Sequence, residues 1–297
     1  MNLCIVGNGL DVAHKYKTRY SDFKLWMEHQ LGSSIVPDNV PDLPDVVIGN
    51  HGEKFVDEDA AVKVLMRLFT HNNVLDDKWS NFEESLYNID MEGVLEENSW
   101  FVDDNSRDRE GDINPFKQGA YYREIADSIR VCIQYTHVLF QRWIEGVDIK
   151  KTPLLPSVKR LAVESLFLSF NYTETLEKLY NVPADNVCYI HGIRNNAYNM
   201  TKRSYLSTTK RLIIGHGNDL PKDYGGANVE AAEVFDEVIK DLRKHTDCII
   251  KNHSNFWHTI QKSNIDKIYS FGFSYGNVDL PYIVHICKLL QNDDIVW

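Results

Sequence analysis

Asparagine, histidine, serine and aspartate recur in this chain just after short apolar runs, beside glycines. Asn171 follows residues 165–170, His191 follows residues 187–190, and His216 lies between Gly215 and Gly217 after residues 211–214. The turn Gly7-Asn8-Gly9-Leu10-Asp11 follows residues 2–6, and Ser274 and Asp279 follow residues 267–271. A carboxamide both donates and accepts hydrogen bonds, so Asn171 can orient a water or a sugar hydroxyl. An imidazole titrates near neutrality and can take a proton from that group. A glycine turn that opens a helix lets backbone amides approach an anion. These types suit the binding of a small anionic ligand such as a nucleotide where they gather.

Such residues act together only if the fold brings them to one place. Residues 2–6 form a continuous apolar run, which predicts a strand buried on both faces, and residues 165–170, 187–190, 211–214 and 267–271 also read as strands. Helical patterns at 173–180, 229–244 and 279–290 separate several of them, and that alternation predicts a parallel sheet. All carboxyl ends of such a sheet lie on one edge, where ligands bind. Between the first strand and the rest, apolar residues recur at helical spacing: Val62, Leu65, Leu68 and Phe69; Phe82, Leu86 and Ile89; Ile125, Ile129, Cys132, Leu139 and Trp143. Ser21 is the predicted cap of a helix carrying Phe23, Met27 and Leu31. A short strand is weakly signalled at 46–48, and the charged stretch 103–112 reads as an exposed loop. The expected fold is therefore α/β. A Rossmann-like parallel sheet, formed by residues 1–30 and 157–297 as the nucleotide-binding domain, carries a mainly helical insertion at 31–156. Residues 294–297 read as the start of one more strand, which leaves a continuation past Trp297 open.

Each candidate has a structural alternative. A full dinucleotide fingerprint needs a third glycine, but position 12 is Val12, which argues against a hydride-transfer site and leaves a tight turn that binds nothing. Asn171 and Glu174 have the spacing of a capping box, with Thr173 as another cap. His191 reads alternatively as a hydrogen-bonded core histidine, and His216 is the rival base. Asp279, with Pro281 in the next turn, reads alternatively as a helix cap. Glu83 and Glu84 read as solvated, with one of them facing the strand ends as the alternative. His253 and His258 do not share a helical face, so no zinc site is expected.

The chain of 297 residues has 32 basic and 43 acidic residues, a formal charge of −11, which disfavours an extensive nucleic-acid or anionic-membrane surface. Its five cysteines are scattered and odd in number, as expected of reduced thiols in a cytoplasmic protein. No apolar run approaches the ~20 residues needed to span a bilayer.

The segment Ile5-Val6-Gly7-Asn8-Gly9-Leu10-Asp11-Val12-Ala13-His14, followed by Tyr20-Ser21-Asp22-Phe23, resembles the opening of the bacteriophage abortive-infection AbiH family. So do the segment from Trp79 to Glu83, Phe170-Asn171-Tyr172-Thr173-Glu174, Ile190-His191-Gly192, Ile214-Gly215-His216-Gly217, and Gly272-Phe273-Ser274 with Asp279. That family is similar to the sirtuin-like proteins of antiphage defence, although Asn8 stands where sirtuins generally carry alanine. The resemblance implies NAD as substrate and hydrolysis of its nicotinamide–ribose bond to nicotinamide and ADP-ribose. Asn171 and His191 would carry the reaction. Gly7, Asn8, Gly9, Asp11, His216, Ser274 and Asp279 would contact the dinucleotide, and no metal is expected. It further implies a phage-derived trigger or a partner defence protein, a homo-oligomer, and a switch by assembly or by closure of the loops at 103–112 or 221–228. The competing expectations are a non-catalytic nucleotide sensor and a phosphoesterase or nuclease built on His191 and His216.

Overall fold

The computed structural model describes residues 1–30, 43–71, 79–194, 212–218, 228–290 and 295–296. Strands β1 (Asn2–Val6), β4 (Ser165–Ser169), β5 (Val187–Tyr189) and β6 (Lys267–Phe271) form a sheet in the order β5-β4-β1-β6. Every pairing in it is parallel. Strands β2 (Val47–Ile48) and β3 (Lys54–Phe55) form a separate antiparallel pair, so the weak signal at 46–48 marks a hairpin. The chain is thus a mixed α/β protein with a parallel four-stranded sheet.

β1 is central because it can be buried on both faces. Leu3, Cys4, Ile5 and Val6 have no exposed surface, and their side chains alternate between two cores. Cys4 and Val6 join a large core that includes Phe23, Val62, Phe82, Ile129 and Phe140. Leu3 and Ile5 join a smaller core with Phe256, Trp257, Ile260 and Tyr282. The helices of the 31–156 region therefore share a continuous apolar core with one sheet face.

On that side lie α1 (Gly9–Ala13), α2 (Tyr20–Gln30), α3 (Glu58–His71), α4 (Trp79–Ser85), α5 (Met91–Glu97), α6 (Ser99–Asn105) and α7 (Pro115–Glu145). α7 runs for 31 residues; Asn114 caps its start by accepting from the N–H groups of Phe116 and Lys117, with a proline in the first turn. α8 (Pro156–Leu161) leads into β4, and α9 (Thr175–Tyr180) leaves it. α10 (Val229–Asp241) packs along α7, held at its rim by Arg130 with Glu237 and Asp241. The chain then forms α11 (Thr246–Asn252), α12 (Ser254–Lys262) and α13 (Leu280–Leu290), which supply the second core. Among the described residues no helix is long and apolar enough to cross a membrane.

The structure differs from the expectations at several points. Ser21 lies inside α2, which begins at Tyr20, and the carboxylate of Asp22 accepts from the N–H of Arg19 at 2.9 Å. Part of 103–112 is helical, since α6 extends to Asn105. Residues 212–214 form no strand; Arg211 lies outside the described residues. Their backbone is satisfied irregularly: Ile213 N–H donates to His191 O at 2.9 Å, and the Tyr172 hydroxyl donates to Ile213 O at 2.8 Å. An apolar, buried segment gives the same sequence signal whether it pairs in a ladder or not. Val296 forms a parallel bridge with Lys267 on the outer side of β6; Asp294 and Trp297 lie outside the described residues, as do residues 221–227 of the proposed loop switch. α11 and α12 have no counterpart among the expected elements.

Candidate functional site

Because the sheet is parallel, the chain leaves β1 at Gly7, β4 at Phe170, β5 at Ile190 and β6 at Gly272 on the same edge. The connections run away from β1 in both directions, to β4 and β5 on one side and to β6 on the other, the arrangement that opens a crevice beyond the strand ends. A cleft of about 220 Å³ lies there. Gly7, Asn8, Gly9, Asp11, Asn171, His191, Ser274 and Asp279 all line it, and His216 does not. A larger groove of about 740 Å³, lined by Trp100, Phe101 and Arg123 among others, lies away from the strand ends.

The first turn is built by contact between backbones. A Cβ on Gly7 would stand 2.6 Å from Gly272 O, and one on Gly9 would stand 2.5 Å from Gly272 Cα. Gly7 N–H donates to Phe271 O at 3.0 Å, and Gly9 N–H donates to Gly272 O at 2.9 Å. Those two amides are therefore taken by the β6 loop, which corrects the expectation that they stand open to a phosphate. The Asn8 side chain donates to Thr18 O at 2.8 Å and ties the turn to the Thr18-Arg19 loop, so asparagine here has a structural use. Thr18 and the exposed Arg19 line the same cleft.

Asp11 is buried, and its carboxylate accepts from the hydroxyls of Thr173 at 2.5 Å and Thr175 at 2.6 Å. Burial pushes its pKa up to about 6, against the opposing pull of those hydroxyls. Thr173 is thereby held across to α1 and does not cap α9. Glu174 does not complete a capping box either: Arg194 grips it through two bonds of 2.7 and 2.9 Å. Burial alone would raise the Glu174 pKa, but Arg194 and Lys178 outweigh it and hold the carboxyl at about 2. Asn171 is thus released from capping. It is 4% exposed, and its side-chain oxygen is buried without a hydrogen-bond partner. An unsatisfied buried acceptor on the wall of a cleft is a place for a donor from a ligand or a water.

His191 sits among aromatic rings, with Phe170 and Tyr282 at 5.4 and 5.5 Å, edge-on, and Tyr172 stacked at 6.3 Å. Its Nε2 is 3.5 Å from Lys244 Nζ and 3.5 Å from Asp279 Oδ1. Burial, then the Lys244 charge, holds the His191 pKa well below the ordinary histidine value, so the ring is neutral.

Of two further members of this cluster, Lys244 is not a candidate from the sequence and Glu83 is one only as the alternative to a solvated residue. Lys244 Nζ has no exposed surface and contacts both Glu83 oxygens, at 2.7 and 2.8 Å, and Asp279 Oδ1 at 3.4 Å. Glu83, which the sequence favours as solvated, is 4% exposed and lines the cleft. Burial raises its pKa to about 7, with Lys244 opposing and Asp279 adding to the rise. Burial likewise raises the Asp279 pKa, offset by Lys244. The carboxylate of Asp279 turns into this cluster, so helix capping is not its role.

His216 explains how Lys244 arrives there. Its ring Nε2 donates to Ile239 O at 2.8 Å, and its Nδ1 accepts from Asn218 N–H at 3.2 Å. Its backbone exchanges bonds with Leu242 O and Lys244 N, at 3.0 and 2.8 Å. A Cβ on Gly215 would meet Leu242 O at 2.1 Å, so only glycine admits this approach. Both ring nitrogens being engaged, His216 is a clamp that seats Lys244, and not a rival base. A phosphoesterase using His191 and His216 together loses its second histidine. Among the described residues no group of three or more His, Cys, Asp or Glu is placed to hold a metal ion.

The family model described as bacteriophage abortive infection AbiH matches residues 3–297. No curated protein and no solved structure gives a match.

Proposed function

The chain belongs to the bacteriophage abortive infection AbiH family, and we propose that it serves abortive infection as an NAD+ glycohydrolase on a sirtuin-like, Rossmann-like sheet. The observation that carries this reading is the convergence of a partnerless Asn171 oxygen and a neutral His191 in one cleft at the strand ends. The cleft, at about 220 Å³, is smaller than the roughly 300–1,000 Å³ of pockets that enclose a whole drug-sized ligand. It suits the nicotinamide riboside end of the dinucleotide, with the phosphates outside, near Arg19.

The reaction breaks the bond between the ribose anomeric carbon and the pyridinium nitrogen. The bonding pair stays on nitrogen, so nicotinamide leaves neutral and needs no strong general acid. The transition state is oxocarbenium-like. Water forms the new carbon–oxygen bond and gives up one proton; the products are nicotinamide, ADP-ribose and that proton. Asn171 fixes the nicotinamide riboside end of the dinucleotide by its free acceptor. His191 accepts the proton. Its Nε2 lies 3.5 Å from both the Asp279 carboxylate and the Lys244 ammonium, and this role requires the tautomer whose Nε2–H faces Asp279 and leaves Nδ1 as the acceptor. Asn171→Ala and His191→Ala are each expected to abolish nicotinamide release while the thermal midpoint stays within a few degrees. Full activity in either variant removes that residue from the mechanism.

One observation favours a second reading, a nucleotide sensor without turnover. If Lys244 donates to His191 Nε2, then Nδ1 carries the proton and no base remains. That reading predicts saturable binding of ADP-ribose with no product from NAD+.

A further inference from the structure

The charges around the cleft do not cancel. Glu83 and Asp279 line it and share one ammonium, Lys244, while His191 beside them is neutral. Asp11 adds a third carboxylate to the lining, hydrogen-bonded to hydroxyls, with the nearby Arg194 charge already paired to Glu174. Lys244 lies behind the lining, and apart from neutral His191 the one basic residue on the described lining is Arg19, which is exposed. The buried part of the cleft therefore carries more negative than positive charge. Burying an uncompensated carboxylate is costly, and the deficit is met by a proton or by a cation.

A second, independent feature points to a ligand at the same place. The Asn171 side-chain oxygen is buried on the wall of the cleft and lacks a donor. Phe170, Tyr172 and Phe273 complete that wall with aromatic rings, which attract a flat cation. We infer that the floor of the cleft is a subsite for a cationic heterocycle bearing an N–H donor, with Glu83 as the residue that selects the positive charge. On the dinucleotide reading, on which this rests, the site takes the oxidised, pyridinium form and rejects the neutral dihydropyridine. The N–H donor is then the carboxamide, set on Asn171.

Glu83 is suited to this because its proton is poised. Facing it are Lys244 Nζ, the Asp279 carboxylate, the backbone N–H of Gly215 and, through its charge, the phenols of Tyr172 and Tyr282. An arriving cation supplies the missing charge and expels the proton.

The test is calorimetric titration at neutral pH with carba-NAD+, whose cyclopentane ring leaves nothing to hydrolyse, and with NADH, ADP-ribose and 1-methylnicotinamide. The expected result is that wild-type protein binds carba-NAD+ at least about tenfold more tightly than NADH, the scale of one buried charge contact. Glu83→Gln should bring the two affinities together while ADP-ribose affinity is kept. Should that variant fail to fold, the wild-type comparison and Asp279→Asn decide the matter. Equal wild-type affinities for carba-NAD+ and NADH overturn the cation subsite and leave the nucleotide reading standing. Binding of 1-methylnicotinamide that depends on Glu83, with neither dinucleotide bound, keeps the subsite and removes the dinucleotide. No binding of any of the four overturns both.

Discussion

At the scale of single residues, the cleft sets an acidic group against a neutral base. His191 is neutral because burial and Lys244 both oppose its charge, so it does not supply an ordinary histidine limb to a pH profile. Glu83 titrates near neutrality instead, at about 7. Its carboxylate form favours a cation, and protonation cancels the attraction. Affinity for carba-NAD+ is therefore expected to rise as pH rises through about 7, while NADH affinity stays flat, as titrations across that range would read. A profile that is unchanged in Glu83→Gln contradicts the assignment. Asn171 and His191 were legible in the sequence because each follows a buried run and stands at a strand end. Lys244 was not, because a lysine after an amphipathic helix gives the pattern of a solvated end. Its partner Glu83 lies 161 residues away, a separation no periodicity reports.

At the scale of elements, the site depends on two backbone crossings. The β1 turn meets the β6 loop at Gly7, Gly9 and Gly272, and residues 215–216 meet 242–244. Gly272 has φ of +59°, where any side chain is strained. Gly9→Ala should force the two loops apart and lower stability by about 1–3 kcal/mol, read by denaturant or thermal unfolding. A fully stable Gly9→Ala protein with normal ligand affinity would show that the close approach is dispensable. The strands were legible as continuous apolar runs, and the glycine turn was visible too. Its reason was not: the spacing suggested amides facing an anion, whereas the amides of Gly7 and Gly9 are spent on carbonyls of the neighbouring loop. The run at 212–214 shows the same limit, since burial wrote a strand-like pattern that side-chain and loop partners satisfy without a ladder.

At the scale of the whole molecule, the helical 31–156 region is joined to the rest by apolar packing, by the buried Glu83–Lys244 pair and by bonds from Arg194. Arg194 grips Glu174 and also donates to the carbonyls of Ile144 and Val147 just at the end of α7. Replacing Arg194 by methionine leaves Glu174 buried and without that partner and should cost about 3–5 kcal/mol in unfolding experiments. The Glu174 pKa in the fold is about 2, below the ordinary carboxyl value of 4.5. Its contribution is thus fully present above about 4.5 and is lost as pH falls toward 2. Glu174→Gln should flatten that part of the acid-unfolding curve; an unchanged acid limb would assign it to other groups. The α/β class and the helical region were readable from the order of patterns along the chain. The continuity of the larger core was not, because contacts between α7, α10 and the sheet join distant segments.

The central claim is that the cleft breaks the nicotinamide–ribose bond. It is tested most directly by incubating the purified full chain with NAD+ and separating nicotinamide and ADP-ribose by chromatography, with the Asn171→Ala protein alongside. The account predicts equal amounts of the two products from the wild type and none from Asn171→Ala. No product from the wild type, or undiminished product from the variant, would contradict it.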